Sequence, residues 1–141
     1  MKLKRIRTWI ATAAAALLGL TALQAQGTGG FRFRGLLNRF VVPNNAGRNS
    51  SAVFCLDNPS SSGVDIKIFS LNGTQVARLD TGAGLPLVAN SACPLDSPIA
   101  GGPRYAAWDG KSNGAIVHSG VYFYQVQAEG LTFTGALVVV R

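Results

Sequence analysis

The chain has one histidine, two cysteines, one methionine and only six acidic residues among 141 positions, and each scarcity excludes a class of chemistry. A lone histidine cannot complete a His-based zinc site, and two cysteines without a Cys-x-x-Cys spacing make neither a zinc knuckle nor a redox motif. His118 adjoins Ser119, but neither residue lies in a nucleophile-elbow context, and no set of nucleophile, base and orienting acid can be assembled. The loop Asp109 to Gly114 has Lys111 at the third position, where a calcium loop needs an oxygen ligand. Gly110-Lys111-Ser112 ends like a phosphate-binding loop, yet Tyr105 occupies the position of its first glycine. No metal and no cofactor is expected, and the chain reads as a non-enzyme. Helical periodicity is also missing: beyond the first 25 residues no stretch sustains a 3.6-residue apolar repeat.

What is present begins with a leader. Lys2, Lys4, Arg5 and Arg7 precede an uncharged apolar run, Trp9 to Leu23, and Leu23-Gln24-Ala25 forms a cleavage context. That is the layout of a secretory signal peptide over 1–25. Its apolar run of about 15 residues falls short of the roughly 20 that span a bilayer, so no stable membrane span is expected after cleavage. The first cysteine is Cys55, too far from the cut for a lipid anchor. Four of the 13 Lys and Arg belong to the leader, which leaves nine against six acids, a net of about +3. That balance gives no warrant for a nucleic-acid partner. In an oxidising compartment Cys55 and Cys93 are expected as a disulfide rather than two free thiols. Closing a loop of about 38 residues contributes roughly 4 kcal/mol in the chain-entropy view.

Residues 26–38 are rich in Gly and Arg and read as a flexible leader to the domain. Within them Phe31 and Phe33 alternate with Arg32 and Arg34. The other reading of these four residues is an edge strand, of this domain or donated to a neighbouring subunit, and they are the candidate partner contact. The domain is expected over 39–141. Short strands are predicted at Phe40 to Val42, Ser51 to Leu56, Val64 to Ile68, Gln75 to Leu79, Arg104 to Trp108, Val121 to Ala128 and Leu131 to Val140, with a further short one at Leu85 to Ala89. Val64, Ile66 and Ile68 alternate with Asp65 and Lys67, the pattern of a half-buried strand. Asn72-Gly73 is predicted as a hairpin turn with both residues at positive φ, and Glu129-Gly130 as the turn of a closing hairpin. Leu131, Phe133, Leu137 and Val139 are placed on one face. About seven short strands at this spacing predict an all-β, immunoglobulin-like antiparallel sandwich.

Two passages carry a family resemblance: Val64 to Val76, and Trp108-Asp109-Gly110 through Gly114 to Ser119-Gly120-Val121-Tyr122-Phe123-Tyr124. Over roughly Phe40 to Arg141 the chain resembles the FlgD-like Ig-like domain of flagellar hook-capping proteins. That group is related to C-terminal β-domains of bacterial surface and type IX-secreted proteins. The resemblance implies the fold, not one function. In it Trp108 is a core anchor, Asp109 closes an Asx-type turn, and Gly110, Gly114 and Gly120 allow backbone angles other residues resist. Ser119, Tyr122 and Tyr124 complete the motif.

These readings converge on an exported structural or adhesive module, periplasmic, cell-surface or extracellular, that works through protein contacts or self-association. Two alternatives stand beside it. One is a small carbohydrate-binding module, with Tyr105, Tyr122 and Tyr124 as an exposed strip that stacks on a glycan. The other is a stand-alone fragment of a secretion-sorting C-terminal domain.

Overall fold

The computed structural model describes residues 30–47, 49–81, 93 and 103–141. The leader over 1–25 and the strand predicted at Leu85 to Ala89 lie outside them. The described residues are all-β, with ten strands: β1 Arg32–Leu37, β2 Phe40–Val41, β3 Ala52–Asp57, β4 Val64–Ser70, β5 Gln75–Thr81, β6 Arg104–Trp108, β7 Lys111–Ser112, β8 Ala115–Ile116, β9 Gly120–Ala128 and β10 Leu131–Val139. They form a three-stranded sheet in the order β1-β3-β6, a five-stranded sheet in the order β2-β10-β9-β4-β5, and the small ribbon β7-β8.

Period-two patterning decides which face of each strand is buried. In β4, Val64, Ile66 and Ile68 are buried while Asp65 and Lys67 face outward. In β3 the inward residues Ala52, Phe54 and Leu56 meet that face, and one apolar core joins the two larger sheets. Phe54 of β3 contacts Tyr124 of β9 edge-on at 5.2 Å between ring centroids, and Trp108 of β6 contacts Tyr122 at 5.7 Å. Tilted and edge-on rings of this kind contribute beyond the area they bury.

Residues 32–37, expected within a flexible leader, are the edge strand β1, paired antiparallel with β3. Phe31 is 3% exposed. Phe33 packs against Phe54, Tyr124 and Phe133. The register shifts between Phe33 and Gly35, where Gly35 takes φ 134°. That bulge has a consequence for packing: Phe33 and Leu36, three residues apart, both turn toward the core, which an unbroken strand forbids. Asn38, at φ 57°, then swings the chain from one sheet to the other. There β2 runs parallel to β10, with Val138 N donating to Arg39 O at 2.7 Å and Val140 N to Val41 O at 2.8 Å.

The hairpin turns differ from expectation at one place. Leu71 joins the β4-β5 loop, and only Gly73 takes positive φ, while the Asn72 side chain accepts from Thr74 N at 3.1 Å. Asn113 and Gly114 instead form the two-residue turn with both φ positive, between β7 and β8. Glu129 and Gly130 do the same between β9 and β10. A disulfide joins Cys55 to Cys93. Cys55 points away from Phe54 and Leu56, so the bridge covers the outer side of the smaller sheet.

Candidate functional site

The resemblance motif occupies the bend between β6 and β9. Trp108 is buried, and its Nε1 donates to Lys111 O at 2.8 Å. Asp109 Oδ1 accepts from Lys111 N at 3.2 Å, which closes a tight turn, and its other oxygen pairs with Lys111 Nζ at 3.1 Å. Gly110 takes φ 75°, and a Cβ there would lie 2.6 Å from Pro43 Cγ. Its carbonyl accepts from Val117 N at 3.0 Å. Ser119 Oγ accepts from Arg141 N at 3.0 Å and fastens the last residue to this bend. His118 is exposed, and its carbonyl accepts the Tyr122 hydroxyl at 2.7 Å. Every one of these contacts is internal, and together they fasten the bend to the rest of the fold. Among the described residues no group of three or more His, Cys, Asp or Glu side chains could hold a metal ion.

The tyrosine strip does not form. Tyr122 and Tyr124 are both 6% exposed and face the core, which raises their pKa; for Tyr124 nearby Arg39 opposes that rise. Tyr105 pairs with Cys55, on the outer side of the other sheet. The three rings therefore never share a surface. The proposed contact residues are also divided. Phe31 and Phe33 belong to the core, Arg34 lies 3.5 Å from buried Asp57, and Arg32 alone is exposed.

What the surface does offer is the outer face of the five-stranded sheet. With the tyrosines of β9 turned inward, Val121 and Phe123 point out, 38% and 46% exposed. Pairing sets Phe40, Val138 and Val121 in one row, and Ala136, Phe123 and Phe69 in the next. A third row, Thr134, Gln125, Lys67 and Arg78, is polar. An open groove of about 590 Å³ lies between, lined by Phe69, Phe123, Tyr124, Gln125, Thr134, Gly135 and Ala136. Asp65 holds both cations of the polar end, Lys67 Nζ at 3.1 Å and Arg78 Nε at 2.9 Å. Burial opposes its ionisation, but hydrogen bonds from Arg78 and Lys67 outweigh that and lower its pKa. Leu131 shares a face with Phe133, Leu137 and Val139 as the sequence places it, but at the β9-β10 turn it is 45% exposed. The signal that could have exposed this surface is β9 itself: Val121-Tyr122-Phe123-Tyr124 is apolar on both faces, and a sheet face meant only for water alternates with polar residues.

No family model matches the chain, and no curated protein matches it either. Among solved structures it is similar to dimeric latent PorU from Porphyromonas gingivalis, with 22% sequence identity and a TM-score of 0.42. The match takes in 64% of this chain and 8% of that one.

Proposed function

We propose that this chain is a non-enzymatic, exported structural or adhesive module of the bacterial envelope or cell surface, acting through protein contacts. The observation that carries this reading is the apolar outer face of the five-stranded sheet, centred on Phe123. Isolated exposed apolar residues are ordinary, but a contiguous set rimmed by polar residues marks a contact surface. The leader over 1–25 supplies the route out of the cytoplasm, and the disulfide suits an oxidising destination.

The finer fold reading is an immunoglobulin-like sandwich. In its favour, the first strand divides between the two sheets, pairing antiparallel with β3 and then, as β2, parallel with β10. The Tyr122 hydroxyl, at the start of β9, reaches back four residues to a backbone carbonyl, as in the tyrosine corner of such domains. Two features depart from antibody domains: Trp108 sits on β6, and the disulfide leaves the core rather than crossing it.

The test is a photo-crosslinking residue at position 123 in intact cells of an exporting host. Adducts between the chain and envelope or surface proteins are expected, and they should fade when the crosslinker is moved to exposed Asn72. A chain released free into the medium, with no adduct from either position, would contradict the reading.

A further inference from the structure

The backbone of β10 is half used. Its pairing with β9, from Leu131 opposite Ala128 to Val139 opposite Gly120, directs the N–H and C=O groups of residues 131, 133, 135, 137 and 139 toward β9. The alternate residues face the other way, as Val138 and Val140 do when they donate to β2. On that side Thr132, Thr134 and Ala136 meet no strand among the described residues, because the chain leaves this lane at Asn38 to build β1 in the other sheet. Exposed edges are usually guarded by proline, charge or a bulge. The stretch Leu131-Thr132-Phe133-Thr134-Gly135-Ala136-Leu137 contains neither proline nor charge, and its pairing with β9 runs without a shift.

Resting on the contact-module reading above, we infer that this edge pairs with the same edge of a second copy. Antiparallel pairing about Thr132 sets Thr132 opposite Thr132 and Thr134 opposite Gly130, and stops short of the lane beside Val138 that β2 fills. These are small and β-branched partners that suit a ladder and bring no like charges together. The ends are complementary as well. Arg39 lies beside Val138 at one end of the free lane, and Glu129 lies in the turn at the other. Antiparallel pairing carries the Glu129 turn of each copy toward Arg39 of the other, twice by symmetry. Such a contact is isologous and closes at two copies. It joins two five-stranded sheets into one and doubles the apolar face carried by Phe69, Phe123 and Ala136.

The purified exported protein is examined by size-exclusion chromatography with light scattering over a range of concentrations, with Thr134→Pro and Thr132→Lys beside it. Proline at 134 removes an outward N–H and no bond to β9. The expected result is a dimer that dissociates on dilution, weakened at least tenfold by either substitution, with both variants still unfolding cooperatively. A wild-type monomer at every concentration overturns the inference, as does a dimer indifferent to both variants. Adducts from position 123 alongside a monomer would sink self-pairing alone and leave the contact-module reading standing. Should a variant fail to fold, Arg39→Glu at the rim of the lane replaces it, with the same tenfold weakening expected and no weakening as the contrary result.

Discussion

Glu129 holds more of the molecule together than a turn residue ordinarily does. Its carboxylate accepts from Phe31 N at 2.9 Å and Ser62 Oγ at 2.6 Å, and so ties the β9-β10 turn to the start of β1 and to the loop before β4. Those two hydrogen bonds, the backbone one foremost, lower its pKa against a small opposing effect of burial. A depressed carboxylate contributes stability above its unfolded pKa and loses it as pH falls through the folded value. Acid titration of the unfolding midpoint is therefore expected to show a decline below the ordinary Glu range that Glu129→Gln makes shallower. Identical acid profiles for the two proteins would contradict the tie. Gly135 is a steric case: a Cβ there would lie 2.3 Å from the Tyr124 hydroxyl oxygen and 2.4 Å from Cζ. Gly135→Ala is expected to cost about 1–3 kcal/mol by overpacking, read from urea denaturation. At Trp108, replacement by phenylalanine strands the Lys111 carbonyl and should cost about 1–3 kcal/mol.

At the scale of elements, β1 separates a leader from a structural strand. Removing residues 26–38 strips Phe31 and Phe33 from Phe54, Tyr124 and Phe133 and leaves β3 with β6 as its one remaining neighbour. A single Phe→Ala change in a core costs about 3–5 kcal/mol. The truncated chain is thus expected to lose cooperative unfolding, by circular dichroism in urea, where a true leader would leave the transition unmoved. The sequence pointed to β4 because Asp65 and Lys67 alternate with three aliphatics, and to the β9-β10 hairpin because Glu-Gly separates two long strands. It left β1 as the second reading, an edge strand behind a flexible leader, because Gly30 and Gly35 look like linker chemistry, whereas Gly35 serves a bulge. It hid the Asn113-Gly114 turn because the two-residue strands on either side carry no alternation to frame it. The inward turn of Tyr122 and Tyr124 was also illegible, since hydropathy would bury Phe123 first. The hydroxyl of Tyr122 finds the His118 carbonyl, and the ring of Tyr124 fills the space left at Gly135. Both are contacts between positions that only the folded chain brings together.

For the whole molecule, the disulfide and the open sheet divide the surface in two. One side is fastened by Cys55–Cys93, and reduction is expected to lower stability by about 2–5 kcal/mol without changing the strand order. The other side, the five-stranded sheet with its apolar rows and the free lane of β10, is the one we propose a partner covers. That the larger sheet works by being covered is tested most directly by amide hydrogen exchange of residues 26–141, followed residue by residue across a concentration series. The amides of Thr132 and Thr134 should exchange quickly when dilute and slow as concentration rises, while those of Phe133 and Leu137, bonded to β9, stay protected throughout. Equal protection of all four at the lowest concentration, or no slowing of the two at the highest, would contradict it.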